Sequence, residues 1–197
     1  MIDDFKDAGG KWMKGRRVDG EWVATCSHIR WNSMRQRCKE GGSTQNNQPT
    51  YIGCTMSPMF SDFQLFVEWH RQQVGYGIDG YHLDKDILVA GNKLYSENTC
   101  VLVPSQLNMF LTSRGAARGA YPQGVCWKEK NQRFQASLHI NGKQKHIGYY
   151  TTAVEASAKY KTAKEAEARR WHSRLVAKEF VVDERVIECM GNWAMVL

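Results

Sequence analysis

The 197-residue chain contains no Cys-x-x-Cys pair. Its six cysteines, Cys26, Cys38, Cys54, Cys100, Cys126 and Cys189, stand alone, which argues against a structural zinc site, although Cys26, Cys38 and Cys54 could still meet in space. No apolar run is long enough to span a bilayer, nothing resembles a secretory signal, and Met1-Ile2-Asp3-Asp4 opens acidic rather than basic. No membrane partner is expected, and the thiols are expected to stay reduced in a cytoplasm. An acidic balance is also lacking. The formal net charge is +7 and the sequence pI about 9.1, which suits a polyanionic partner and argues against mimicry of an acidic protein. Charge alone selects no particular polyanion, because Asp and Glu are interspersed throughout.

With 42% apolar residues, the length gives room for two small domains and a short extension. The expected boundaries are 1–111, a linker at 112–122, 123–178, and an extension at 179–197. In the first part, Asp19-Gly20 marks a turn between short strand-like runs, and Ile29 to Cys38 reads as a helix with Trp31, Met34 and Cys38 on one side. Gly41 to Pro49 reads as a polar loop. Ser61-x-x-Gln64 is expected to cap a helix whose stripe of Phe63, Phe66, Val67, His70 and Val74 is stopped by Gly75. His70 on that stripe reads as a packed core histidine.

The segment Tyr81-His82-Leu83-Asp84-Lys85-Asp86 reads as a strand carrying carboxylates. A Gly- and Asn-containing loop, a second short apolar strand and a helix opened by Pro104 at its first turn follow. A ββα unit of this kind can hold one hard divalent cation between a strand carboxylate and an amide projecting from the helix, leaving open positions for a phosphate. Asp84 and Asn108 are the candidate ligands, for Mg²⁺ or Mn²⁺.

These residues resemble the HNH endonucleases, in particular phage homing and nicking enzymes with the blocks Leu-Asp-Lys-Asp, Asn-Lys-x-Tyr-Ser and Val-Pro-x-x-x-Asn. They stand here as Leu83 to Asp86, Asn92 to Ser96 and Val103 to Asn108. The resemblance implies an α+β chain with a ββα-metal nuclease domain, acting in a host cytoplasm if phage-encoded. It assigns Asp84 and Asn108 as metal ligands and Asn98 as the residue that braces the loop. Better-known members carry His directly after the metal-binding Asp, where this chain has Lys85. Alternation along a strand puts His82, Asp84 and Asp86 on one face and Lys85 on the other, so spacing favours His82 as base while alignment favours Lys85. Both stay candidates.

From Gly124 onward, Lys130-Asn131-Gln132 and Asn141-Gly142 separate three short strands, and Thr152-x-x-Glu155 opens a helix with Ala156, Tyr160, Ala163, Trp171 and Leu175 in one arc. The expected result is a three-stranded antiparallel sheet on one helix. Gly124-Val125, Arg133-Phe134-Gln135-Ala136, Ile147-Gly148-Tyr149-Tyr150 and the Ala-rich helix resemble the Apetala-type DNA-binding domain of plant ethylene-response factors. In that family the sheet enters the major groove of double-stranded DNA. By position the resemblance makes Trp127, Lys128, Lys130, Arg133, Gln135, Ser137, His139, Lys143 and Lys145 contact candidates. Alternation independently places Arg133, Gln135, Ser137 and His139 on one wholly polar face. Arg114 and Arg118, in the small-residue linker, are candidates for neutralising phosphates. The tail from Val181 to Leu197 ends apolar with Trp193, Met195, Val196 and Leu197, and either packs back on the body or forms a dimer contact, so monomer and homodimer both stay open.

The functional expectation is a metal-dependent, site-specific DNA endonuclease. The rival is a non-catalytic DNA-binding regulator that keeps a decayed nuclease fold.

Overall fold

A computed structural model describes residues 1–112, 120–140 and 142–196, with side chains through Asn192. Arg114, Arg118 and Asn141 lie outside the described residues, as do the side chains of Trp193, Met195 and Val196 and all of Leu197. The fold is mixed α+β and its sheets are all small. The chain divides into two compact units, Met1–Val103 and Pro104–Leu197. That boundary precedes the expected linker, so the helix carrying Asn108 is grouped with the second unit.

In the first unit, β1 (Gly15–Val18) and β2 (Glu21–Ala24) form an antiparallel hairpin. Its two-residue turn is Asp19-Gly20, both at positive φ (51° and 84°), as this dipeptide favours. Helix α1 (Cys26–Cys38) starts three residues earlier than Ile29 because Thr25 caps it, accepting from the His28 amide. The expected polar loop instead holds α2 (Ser43–Asn47) and a 3₁₀ turn at Pro49–Tyr51. Gln45, buried between them, donates its amide to the carbonyls of Arg37 and Tyr51. A polar sequence can fold this way when its backbone groups find side-chain partners.

After β3 (Thr55–Met56) and α3 (Pro58–Ser61) comes α4 (Phe63–Arg71). Its cap is Asp62, whose Oδ1 accepts from the amides of Gln64 and Leu65, and not the expected Ser61. The Gln64 side chain is drawn away to the backbone of Trp12, accepting at 2.6 Å and donating at 3.0 Å. The apolar stripe holds for Phe63, Phe66, Val67 and His70, but the helix ends before Val74, which is exposed. Phe60, Phe66, Val67, Trp31 and Met34 make the core of this unit, at roughly 1.5–3 kcal/mol per buried side chain.

The motif region contains β4 (Tyr81–Asp84), β5 (Leu94–Tyr95) and β6 (Val101–Pro104). β4 pairs with β6, while β5, inside the intervening loop, pairs in parallel with β3. The loop is therefore anchored at its middle to a different sheet.

The second unit opens with α5 (Ser105–Leu111), for which Pro104 is the cap and not the first helical residue. Leu107 and Phe110 are buried, and the Lys164 ammonium lies 5.5 Å from the Phe110 ring centre. The sheet follows as β7 (Val125–Lys128), β8 (Arg133–Ile140) and β9 (Lys143–Tyr150), in the order β7-β8-β9 and antiparallel throughout. Helix α6 (Ala153–Val176) lies against it, with Ala136, Leu138, Ala156 and Tyr160 at the centre of the contact. The expected cap is present, Thr152 Oγ1 accepting from the Glu155 amide. At Gly124, φ is +75° and any Cβ would sit 2.1 Å from the Tyr160 ring, so no other residue fits. The tail forms α7 (Glu184–Val196), which packs back on α6, with Val186 and Met190 buried and Trp171 and Leu175 buried on α6. Among the described residues no helix is long and apolar enough to cross a membrane.

Candidate functional site

β4 alternates as a half-buried strand should. Tyr81 and Leu83 point inward, His82 is exposed, and Asp84 is half-buried. Asp84 ends the strand, and its Oδ1 accepts from the backbone amides of Asp86 (2.8 Å) and Ile87 (2.7 Å), which fixes the carboxylate. Among the described residues Oδ2 takes no hydrogen bond. Burial pushes the Asp84 carboxyl above the usual carboxylate range, and the two backbone donors pull it back.

Lys85 turns the other way and is buried, 4% exposed. Its ammonium donates to Asp86 (2.7 Å) and to the Asn92 carbonyl, and lies 5.6 Å from the Tyr95 ring centre. Asn92 spans the same loop, donating to the carbonyls of Lys85 (2.9 Å) and Leu94 (2.7 Å) and accepting from the Leu94 amide (2.9 Å). Asn98, to which the resemblance gives the bracing role, is exposed in the Glu97–Thr99 turn. That turn is closed by the Ser96 carbonyl, which accepts from the Thr99 and Cys100 amides, and by the contact of the Ser96 and Thr99 hydroxyls. Asn92 was in the motif, but its bracing role was not anticipated.

Two arginines on α1 were also missed as site residues. Arg30 donates to the Tyr81 carbonyl at 2.7 Å and Arg37 to the Tyr95 hydroxyl at 3.3 Å. Both act electrostatically on His82, and Arg37 on Asp84. Partial burial of the ring, then the charges of Arg30 and Arg37, hold His82 below the ordinary histidine range even though the side chain is exposed overall. The available signal was spacing: residues seven apart on a helix share a face.

Asn108 lies on α5 in the second unit, half-buried. Its backbone carbonyl accepts from the amide and hydroxyl of Thr112, and among the described residues its carboxamide takes no hydrogen bond. A carboxylate oxygen such as that of Asp84, in the first unit, and a carboxamide oxygen such as that of Asn108, in the second, are each of the donor type a hard divalent cation takes. Among the described residues no three His, Cys, Asp or Glu side chains are placed to hold a metal. The cysteines are free thiols, and burial raises Cys38 to about 11 and Cys100 to about 12, which leaves them poor nucleophiles at neutral pH.

A second polar cluster in the first unit mimics a nucleophile, base and acid. Ser27 Oγ meets His70 Nδ1 at 2.6 Å and donates to Asp4 Oδ2, which also accepts from Tyr76 (2.7 Å). Ser27 is fully buried and His70 is 1% exposed, so no substrate reaches them and the cluster is structural.

On the sheet of the second unit, directly paired residues share a face. Val125, Ala136, Phe134 and Trp127 therefore face α6, and Cys126, Lys128, Arg133 and Gln135 face away from it. Trp127 is thus on the opposite face from Arg133 and Gln135. Its ring packs edge-on against Phe134 at 4.8 Å and its indole N–H donates to Glu129. Between Ala136 and Ser137 the register with β9 slips, since Ala136 pairs with Gly148 but Ser137 with His146. Ile147 is the extra residue, and the bulge turns the rest of β9 over. Lys143 and Lys145 pair with Ile140 and Leu138 and lie on the α6 side, exposed at the end of the sheet. Their places on the outer face are taken by Gln144, His146 and Tyr149, with the His146 and Tyr149 rings 4.7 Å apart. His139 is exposed on that face, but Ser137 is buried and its hydroxyl accepts from Gln144 at 2.7 Å. Lys128 and Lys130 are exposed.

No family model, curated protein or solved structure matches this chain.

Proposed function

We propose that the chain is a metal-dependent DNA endonuclease of the HNH homing or nicking type, with a sheet-based DNA reader in its second unit. The observation that carries the reading is Asp84: one carboxylate oxygen is held by two backbone amides and the other takes no hydrogen bond among the described residues, on the strand that also carries the exposed His82, with Arg37 interacting with it electrostatically. Asp84 and Asn108 would hold Mg²⁺ or Mn²⁺. Such an ion, when bound, supplies positive charge to the phosphate and to the departing 3′ oxygen.

His82 takes the proton of the attacking water at a ring nitrogen as the water oxygen bonds to phosphorus and the bond from phosphorus to the 3′ oxygen breaks. The assignment favours His82 over Lys85 because the Lys85 ammonium is buried and already engaged by Asp86 and Asn92. Lys85, Asn92 and the Glu97–Thr99 turn with Asn98 keep the loop after Asp84 in shape. Double-stranded DNA is recognised through Lys128, Arg133, Gln135 and His139, joined by Gln144, His146 and Tyr149, with Lys130, Lys143, Lys145 and the linker residues Arg114 and Arg118 available to phosphates. The +7 net charge suits that partner.

Supercoiled plasmid incubated with the protein and Mg²⁺, beside an EDTA control, tests the reading. Metal-dependent relaxed circles are expected, because one site cuts one strand. DNA binding without any cleavage in Mg²⁺ or Mn²⁺ would sink the nuclease and leave the non-catalytic regulator.

A further inference from the structure

We propose that Arg30 and Arg37 form a clamp for one phosphodiester group of a nucleic-acid backbone beside His82. The proposal rests on the nuclease reading for the clamp's role next to the scissile bond, and on the charge arrangement of the first unit for the clamp itself. Both arginines belong to α1 and, seven residues apart, share a helix face. Both are half-buried. Each guanidinium is tied to a neutral oxygen, Arg30 Nη2 to the Tyr81 carbonyl and Arg37 Nη1 to the Tyr95 hydroxyl. Among the described residues neither forms a salt bridge, whereas the buried Lys85 has Asp86 at 2.7 Å.

A half-buried guanidinium without a counter-ion is costly, and one hydrogen bond to a neutral oxygen fixes its orientation without cancelling its charge. Each arginine keeps most of its five N–H donors, in the planar fork that matches a phosphate. Asp84 does not serve as the counter-ion: it interacts with Arg37 only at a distance, and its held oxygen is turned to its own backbone. Two aimed and unneutralised forks, both within electrostatic reach of His82, call for an anion supplied from outside.

The side chains can be followed directly in the full-length protein. The Nε–Hε resonances of Arg30 and Arg37, assigned with Arg30→Lys and Arg37→Lys, are recorded in EDTA while inorganic phosphate, and separately a duplex oligonucleotide, is added. Both resonances are expected to move with the duplex. The double variant Arg30→Gln/Arg37→Gln is expected to lose about one unit of slope in log affinity against log salt, the signature of one phosphate contact. Movement with inorganic phosphate alone, with the duplex slope unchanged, would mark a free-anion site and overturn the proposal, and so would resonances indifferent to both probes. Arg37 also anchors Tyr95, so thermal unfolding is measured alongside; if the double variant does not fold, Arg30→Gln and the wild-type resonances decide. Failure of the nuclease reading is seen separately. A wild-type chain that gives the shifts and the slope in EDTA but never nicks plasmid in Mg²⁺ keeps the clamp and loses the nuclease.

Discussion

At Asp84 one carboxylate oxygen holds a turn and the other is open to a ligand, so two substitutions separate the two roles. Asp84→Asn keeps an acceptor for the Asp86 and Ile87 amides and removes the charge. It is expected to unfold within a few degrees of the wild type and to cut plasmid at least about a hundredfold more slowly in Mg²⁺, since a neutral amide is a poor ligand for a hard cation. Asp84→Ala should in addition lose about 1 kcal/mol of stability with the turn. Calorimetry beside single-turnover cleavage reads both, and an Asn variant that cuts at the wild-type rate removes Asp84 from the ion. His70 gives a prediction of a different kind. Burial, against the opposing pull of Asp4, lowers its pKa from 6.5 to about 4, so the folded protein takes up this proton later than the unfolded chain does. The stabilisation from a neutral His70 is complete above pH 6.5 and is lost as the pH falls toward 4, by up to about 3 kcal/mol. Urea unfolding between pH 4 and 7 should show that loss, and His70→Gln should flatten it. An unchanged slope in the variant would put the acid sensitivity elsewhere.

Elements marked by a strong apolar period or by a local turn or capping signal were legible in the sequence, and those decided by a partner far away in the chain were not. The Asp19-Gly20 hairpin, the stripe from Phe63 to His70, the Thr152 cap and the face of Phe134, Ala136 and Leu138 are all found where residue spacing puts them. The cap of α4 was misplaced by one residue because Gln64 is taken by Trp12, an interaction across more than fifty residues that no local pattern carries. The bulge at Ile147 was equally invisible, and it reverses the facing of Lys143 and Lys145. That reversal is testable. Gln135→Ala and Tyr149→Ala are expected to weaken duplex binding about five- to tenfold each, in the range of roughly 1 kcal/mol for a lost base or stacking contact. Lys143→Ala and Lys145→Ala should each cost under about threefold, as single peripheral phosphate contacts. If the two lysines dominate in a mobility-shift assay, the face that meets DNA is not the one turned away from α6. Gly124→Ala is expected to cost the second unit at least about 2 kcal/mol, since it combines a positive φ with a Cβ placed inside the Tyr160 ring.

For the whole molecule, the division of labour is tested by cutting the chain. The second unit has its own cores, Ala136, Leu138, Ala156 and Tyr160 between sheet and helix, and Trp171, Leu175, Val186 and Met190 between the two helices. A fragment covering 104–197 is therefore expected to fold and to bind duplex DNA in EDTA, without cleaving it in Mg²⁺. A fragment covering 1–112 carries His82, Asp84 and Asn108 but strips α5 of β8 and of the Lys164 contact at Phe110. It should cut only at high protein concentration and with relaxed site choice, because the groove contacts of the sheet and the tether that raises the local concentration of the nuclease are both gone. The salt dependence apportions the binding. The linear slopes of log affinity against log salt for the two fragments should sum to about that of the full chain, since Arg114 and Arg118 fall in the 104–197 fragment and the shared residues 104–112 carry no Lys or Arg. If the 1–112 fragment binds its target as tightly and with the same salt slope as the intact protein, the sheet contributes nothing to recognition, and the assignment of the second unit as the DNA reader fails whatever the plasmid assay shows.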